Sequence, residues 1–386
     1  MNQRRIKRMK KMFVTLAVAV TATVVLGVTP FLRAAELADI IKDVKANGFV
    51  STAYNYNFND PDSRRINFRP FNENDDSFNL DVAELVFQKD AAKEGDIGFR
   101  TDIMYGYTIP KAIRSSWPGV APSADDDVDI QQAYVRYVAP VGNGLALDLG
   151  KFITEMGAEV IEGYDAWNYN YSRSLLFYYT IPFTHTGLRG TYKFNDKVSL
   201  IGQIVNGWDN VADNNNGKTL CAHLMLTPMA NTTLSLKLIT GPEQTNNTDN
   251  IRDVYNINLT TNPIDKLTFN LDLVFGAEES DPNNIVNPNT DSEWSGVAGI
   301  VRYAASERYA INVRAEIFED GDGARTGTQQ DMWEVTVTPE FTIKKNLVVR
   351  PEYRHDASDK KVFDKGDKTA DKKTQDTVAI NVFFYF

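Results

Sequence analysis

The sequence predicts an all-β fold, a transmembrane antiparallel β-barrel of about 16 strands with long extracellular loops and short periplasmic turns. Three observations support this prediction. The chain begins with a basic segment and then an apolar one, an order typical of exported proteins. From residue 48 to the C terminus, apolar and polar side chains alternate in segments of about ten residues. The links between these segments are alternately short and long.

The N-terminal 35 residues are predicted to be a secretory signal peptide. Residues 1–11 carry six basic side chains and no acid, and an apolar run over 12–28 follows them. The small pair Ala34-Ala35 completes the order basic, apolar, small. The alternative is a membrane anchor, because the apolar run is close to the length that spans a bilayer.

The mature chain is expected to have two parts. Residues 36–47 are predicted to be a short periplasmic N-terminal segment, and residues 48–386 to be the barrel. Within the first part, 36–46 has the pattern of a short helix, which either stays in the periplasm or enters the barrel as a partial plug.

Composition excludes several classes of protein. Residues 1–35 hold seven of the 41 basic residues and no acid, so 34 basic residues remain against 51 acidic ones, a net charge of about −17. Nucleic-acid binding needs a basic surface and is not expected. The single cysteine, Cys221, excludes an internal disulfide framework and a thiolate metal cage.

Alternation with period two places one set of side chains on each face of a strand. Ile97, Ile103 and Tyr105, for example, share a face opposite Arg100 and Asp102. Such segments lie near 48–58, 78–89, 96–106, 128–139, 145–152, 186–194, 198–206, 219–227, 232–241, 251–261, 267–276, 295–304, 309–318, 332–341, 347–355 and 377–386.

The competing interpretation is a soluble all-β sandwich or roll. Such a fold would bury one face of each strand, and that face carries arginines on many of the predicted strands. Burying them in a dry core would be very costly, whereas a water-filled lumen removes the cost. Aromatic residues concentrate toward the strand ends, where the interfacial girdles of membrane barrels lie. These residues include Tyr56, Phe58, Tyr105, Tyr137, Tyr192, Phe194, Tyr303 and Tyr353.

Two stretches resemble a known family. The C-terminal strand AINVFFYF, ending on Phe386, resembles the signal by which barrel-assembly machinery recognises outer-membrane proteins. The stretch Gly150–Tyr192, with its segment YDAWNYNYSRS, and VNGWDN at 205–210 resemble the OmpL-like putative beta-barrel porin family. The resemblance implies a bacterial outer-membrane porin and no named substrate. Pro351 departs from an ideal strand because it lacks a ladder donor, which leaves the register of its strand open.

Function is expected in the lumen, because about 16 strands enclose an aqueous channel. The side chains assigned to the inner face as pore-lining are Arg100, Asp102, Arg136, Arg189, Lys193, Lys237, Arg302, Arg314, Glu316 and Arg350.

The longest link, 153–185, is predicted to fold inward and narrow the pore, with its acids facing wall arginines across a transverse field. Its candidate residues are Glu155, Glu159, Glu162, Asp165, Tyr164, Trp167 and Arg173. The alternatives are a solvated rim loop, or a loop whose aromatic rings stack on sugars.

No catalytic residue, metal site or cofactor is predicted. The three histidines are scattered without metal-binding spacing, and no G-x-S-x-G is present. A hydrolase site assembled from separate strands remains an alternative. Residues 319–323 resemble part of a calcium loop but lack the later ligands, so an acidic turn is preferred.

A passive diffusion channel is the predicted function. A closed structural or adhesive barrel that binds partners through its surface loops is the alternative. The expected partners are outer-membrane lipid, small hydrophilic solutes or ions, the barrel-assembly machinery and further copies of the chain in a homotrimer.

Overall fold

The computed structural model describes residues 43–108 and 128–386. The predicted signal peptide and most of the predicted periplasmic segment lie outside the described residues. Among the residues described, no helix is long and apolar enough to cross a membrane.

Sixteen strands close into one antiparallel barrel, as the sequence predicts. They are β1 (Lys45–Asn57), β2 (Ser77–Lys89), β3 (Ile97–Tyr105), β4 (Val128–Ala139), β5 (Leu145–Ile153), β6 (Thr184–Asn195), β7 (Val198–Val205), β8 (Thr219–Met229), β9 (Thr232–Pro242), β10 (Ile251–Ile264), β11 (Leu267–Asp281), β12 (Thr290–Ser306), β13 (Tyr309–Asp320), β14 (Gln330–Lys344), β15 (Leu347–Ser358) and β18 (Thr374–Tyr385). The short helix α1 (Leu175–Tyr179) and a two-stranded sheet, β16 (Phe363–Lys365) and β17 (Lys368–Lys372), lie in two of the links.

The first and last strands close the barrel. β1 pairs with β18 from Phe49↔Tyr385 to Asn57↔Thr377. Beyond this ladder, Gly48 and Phe386 exchange two backbone hydrogen bonds of 3.0 Å. Closure leaves no unpaired strand edge, which a membrane would penalise.

The links alternate in length around the barrel, as predicted. Five of the short turns hold two residues each, at 196–197, 230–231, 265–266, 307–308 and 345–346. The longer links follow the odd-numbered strands β1 to β15, whose C-terminal ends lie at the opposite rim. Because the number of strands is even, the start of β1 and the end of β18 both lie at the short-turn rim.

The two faces of the wall differ sharply. Outward side chains are apolar and exposed, for example Leu85, Leu149 and Leu188, while Asp102 and Arg314 on the inner face are fully buried. Such a continuous apolar outer surface suits lipid rather than water. Several of the predicted girdle aromatics, including Phe58, Tyr105 and Tyr137, are exposed near strand ends, whereas Tyr353 is exposed in the middle of β15.

Pro351 does not disturb the register of its strand. The β14–β15 ladder pairs Val337 with Tyr353 and Phe341 with Val349, so the same register holds on both sides of the proline. Pro351 lies opposite Pro339, and the two residues that lack an N–H therefore share one gap in the ladder.

The charge-dense segment 356–376 differs from the solvated loop that its composition suggests. It contains the end of β15, the β16–β17 sheet and the start of β18. Phe363 is fully buried, and its ring contacts that of Phe68 at 5.8 Å. This aromatic contact and hydrogen bonds such as the one from the Asp62 amide to the Gly366 carbonyl (2.8 Å) hold the link against the β1–β2 loop.

Candidate functional site in the barrel interior

Residues 154–183, between β5 and β6, run inside the barrel, and we call them the inner loop. Early in the loop, the Gly157 amide donates to the Asn256 side chain on β10 at 2.8 Å. Later, the Tyr164 amide donates to Glu84 on β2 at 2.9 Å. Because β10 and β2 lie on opposite sides of the barrel, the inner loop crosses the lumen.

Two glycines allow the inner loop to follow this course. Gly157 has a φ of +81°, a conformation that other residues adopt only with strain. At Gly163, a Cβ would lie 2.8 Å from a Glu84 carboxylate oxygen. A side chain at position 163 would therefore push the loop away from the β2 wall.

Four acids of the inner loop each form an ion pair with a different wall arginine. The pairs are Asp165 with Arg100 (2.6 Å), Glu155 with Arg189 (3.0 Å), Glu159 with Arg314 (2.7 Å) and Glu162 with Arg350 (2.8 Å). The opposition of loop acids and wall arginines was expected. The charges are in direct contact, however, instead of facing one another across open water.

Wall carboxylates hold the loop by a second type of contact, accepting hydrogen bonds from its backbone. Glu316 on β13 accepts from the Leu175 amide at 2.6 Å and the Leu176 amide at 3.1 Å. Glu352 on β15 accepts from the Tyr171 amide at 2.7 Å. These bonds satisfy the backbone amides of buried loop residues.

The helix α1 and the segment after it belong to an aromatic cluster near the long-loop rim. The Phe177 ring lies 5.6 Å from that of Phe71 in the β1–β2 loop, and Tyr179 stacks on Phe318 of β13 at 5.8 Å. Ser174 caps the helix by accepting from the Phe177 amide at 2.9 Å. The rings fill the lumen between the β1–β2 loop and the β13 wall.

Open space remains along the β2–β6 wall, beside the tip of the inner loop. One cavity there, of about 260 Å³, is bordered by Arg189 and Glu155. A second cavity, of about 200 Å³, shares three of its lining residues with the first. The shared residues are Arg100, Tyr134 and Asp165. A third cavity, of about 390 Å³, lies between the loop tip and β12, β14 and β18.

The remaining predicted residues have varied surroundings. Asp102 pairs with Arg100 at 2.8 Å, Arg136 with Asp148 at 2.6 Å and Lys193 with Asp196 at 2.8 Å, the last on the exposed short-turn rim. Lys237 donates to the Gly157 carbonyl at 2.7 Å, and Arg302 to Glu340 at 2.9 Å. Within the loop, Tyr164 donates to Gln88 at 3.0 Å and Arg173 pairs with Glu162 at 3.1 Å. The Trp167 ring packs at a tilt against that of Tyr385, with the ring centroids 4.7 Å apart.

Glu84 is the main interior residue that the sequence analysis did not single out. It is buried on β2, where it accepts the Tyr164 amide, and it borders the cavity of about 260 Å³. An acid in the inward register of a membrane-spanning strand is the signal that could have identified it.

A buried carboxylate anchors the next loop along the barrel. Glu243, just beyond β9, accepts from the Trp208 amide and the Thr219 hydroxyl, both at 2.6 Å. Burial raises the pKa of Glu243 to about 7, although these two hydrogen bonds oppose the shift. The Glu243 carboxyl group therefore binds its proton more tightly in the folded barrel than in the unfolded chain.

Replacing Glu243 with glutamine is expected to flatten the pH dependence of stability. Ionised Glu243 lowers the unfolding free energy above pH 7, and protonation removes this cost as the pH falls toward the ordinary glutamate value. As the pH falls from 8 to 5, the unfolding free energy of the wild type should rise by up to about 3 kcal/mol relative to that of Glu243→Gln. Urea unfolding in lipid vesicles measures this, with Glu307→Gln in an exposed turn as the control. If the unfolding free energies of all three proteins changed equally with pH, this prediction would be wrong.

Within 43–108 and 128–386, no group of three or more histidine, cysteine, aspartate or glutamate side chains is arranged to hold a metal ion. Asp320, in the segment that resembles a calcium loop, accepts from the Thr326 amide and hydroxyl, each at 2.7 Å. Its carboxylate thus closes the acidic turn between β13 and β14.

A family model decides the relationship to known proteins. The model described as putative beta-barrel porin-2, OmpL-like, matches residues 43–386. The chain belongs to this OmpL-like porin family. Family and fold together point to an outer-membrane porin, a non-enzymatic channel. No curated protein sequence matches the chain.

Solved structures share the fold of this OmpL-like porin at low sequence identity. The outer membrane channel DcaP of Acinetobacter baumannii is 12% identical, with 89% of this chain and 97% of that chain covered and a TM-score of 0.58. The anion-selective porin from Comamonas acidovorans is 9% identical, with 89% and 99% covered and a TM-score of 0.58. The trimer form of OmpT from Vibrio cholerae is 10% identical, with 89% and 99% covered and a TM-score of 0.56.

Proposed function

We propose that this OmpL-like porin lets small hydrophilic solutes and ions diffuse passively across the outer membrane of a Gram-negative-type bacterium. The inner loop sets the constriction, and solutes pass between its tip and the β2–β6 wall. The observation that carries the proposal is the pair of cavities that share Arg100, Tyr134 and Asp165.

The polarity of this space supports an aqueous path. Its lining carries both signs of charge, with Arg100 and Arg189 near Glu84, Glu155 and Asp165. Charged groups at membrane depth are costly unless they are paired or face water. Asp165 is the most accessible of these acids, with 42% of its side chain exposed, and Glu155 follows with 26%.

Removing the two accessible loop acids is expected to shift ion selectivity toward anions. Glu155→Gln combined with Asp165→Asn leaves Arg189 and Arg100 without these loop partners, so the path becomes more positive. We expect the cation-to-anion permeability ratio to fall about twofold or more. Reversal potentials in a KCl gradient across a planar bilayer measure the ratio. Glu307→Gln on the short-turn rim is the control, and an unchanged ratio in the double variant would place the path elsewhere.

A closed barrel that binds partners through its surface loops is the second candidate. This candidate is favoured by the close contacts between the inner loop and the wall of β13 and β15. There, Arg314 and Arg350 are fully buried and ion-paired with the inner loop. The two candidates differ in conductance, because a barrel sealed by the loop passes no current.

The proposal includes the partners that a porin needs. Lipid covers the apolar outer surface, and the barrel-assembly machinery recognises the terminal strand, β18. We also propose a homotrimer, because the similar OmpT structure from Vibrio cholerae is a trimer form. Cross-linking in native membranes tests the trimer.

A further inference from the structure

The third cavity lies on the short-turn side of the inner loop, and its lining is unlike that of the two cavities along the β2–β6 wall. It has a volume of about 390 Å³, within the range of about 300–1,000 Å³ for small-molecule sites. Three aromatic residues, Trp167, Tyr169 and Tyr385, border it together with Arg302 and Glu340. We call this cavity the aromatic pocket.

The rings of the aromatic pocket are held in place by contacts with neighbouring side chains, two of which also line the pocket. Trp167 packs on Tyr385 at 4.7 Å and on Phe383 at 5.4 Å between ring centroids. The guanidinium of Arg302 lies 5.0 Å from the centre of the Tyr169 ring. Fixed rings offer stacking surfaces at little entropic cost.

The pocket also contains hydrogen-bonding groups that the protein leaves unused. Among the residues that the structure describes, no partner is found for the Trp167 indole N–H, the Tyr169 hydroxyl or the Thr342 hydroxyl, although all three residues border the pocket. Arg302 and Glu340 form a paired donor and acceptor joined at 2.9 Å. The pocket can therefore donate and accept hydrogen bonds next to aromatic faces.

The charges around the pocket cancel. Arg302 and Lys345 contribute two positive charges, and Glu340 and Asp165 contribute two negative ones. A charged ligand would gain little from this balance, and an anion would have to compete with Glu340 for Arg302. The lining therefore favours a neutral ligand with both an apolar face and many hydroxyls.

We propose that the aromatic pocket binds the pyranose rings of neutral saccharides. The C–H face of the sugar stacks on Trp167 or Tyr169, and its hydroxyls bond to Arg302, Glu340 and Thr342. The pocket shares Asp165 and Ala166 with the cavity of the β2–β6 wall, so a bound sugar lies at one end of the proposed path. Its role in transport rests on the proposed function, whereas its binding does not.

Calorimetric titration of the folded, detergent-solubilised barrel with maltose tests the inference. We expect saturable binding with a Kd in the millimolar range, and binding about tenfold weaker in Trp167→Leu and in Tyr169→Leu. Trp333→Leu, on the lipid-facing side of β14, is the matched control and should bind as the wild type does. A difference in gel mobility between unheated and heated samples verifies that each variant is folded.

Three results would overturn the proposal: no saturable binding, equal binding in Trp167→Leu and Trp333→Leu, or tighter binding of glucuronate or benzoate than of maltose. The last result would assign the pocket to anions or to aromatic acids. Because calorimetry needs no current, a closed barrel that binds maltose would refute the diffusion channel and keep the pocket. A conducting barrel that does not bind maltose would refute the saccharide pocket and keep the diffusion channel.

Discussion

Replacing Arg314 with methionine is expected to free part of the inner loop and to destabilise the barrel by about 3–5 kcal/mol. Arg314 is fully buried and donates to Glu159 at 2.7 Å, Glu334 at 2.6 Å and the Ser172 carbonyl at 2.6 Å. Methionine fills much of the same space without a charge. Glu159 is then left buried and unpaired, which costs far more than the loss of an exposed ion pair.

Urea unfolding in lipid vesicles measures the loss of stability, and limited trypsin digestion reports on the loop. Only 10% of the Arg173 side chain is exposed, so the wild type should resist cleavage after this residue, and Arg314→Met should be cut there. Arg308→Met, in an exposed turn, should change neither result. A loss below about 1 kcal/mol with Arg173 still protected would show that the ion pairs do not anchor the loop.

Removing the inner loop is expected to enlarge the channel. Ile153 and Thr184 are ladder partners at the ends of β5 and β6, so a short Gly-Ser turn can replace residues 156–181 without straining the wall. The segment removed carries three of the four loop acids that pair with wall arginines, Glu159, Glu162 and Asp165. We expect single-channel conductance to rise roughly three- to tenfold, because a wider water-filled section carries more current.

The barrel could be predicted from the sequence because its signal is local. Alternation with period two is visible within any ten residues, and counting the alternating segments gave about 16 strands. Pro351 illustrates the limit of this approach: only the three-dimensional pairing shows that its missing N–H faces Pro339.

The interior could be predicted only in part, because its contacts join distant residues. The loop acids and wall arginines were identified by charge and strand face, but Glu162 and Arg350 are 188 residues apart, and no local pattern pairs them. The loop acids contact the wall arginines directly because of the path that the inner loop takes. Gly157 and Gly163 permit this path. Phe363 was missed because the charge density around it suggested full solvation.

Single-channel conductance of the refolded wild type in a planar bilayer should be recorded beside that of the variant without residues 156–181. The comparison distinguishes an open channel from a barrel that the inner loop closes. We expect small, discrete and stable openings for the wild type and a severalfold larger conductance for the variant. A variant with loop 282–289 shortened between the ladder partners Asp281 and Thr290 should match the wild type. A folded wild type without conductance, beside a variant that conducts, would show that the inner loop closes the barrel and would contradict the diffusion channel.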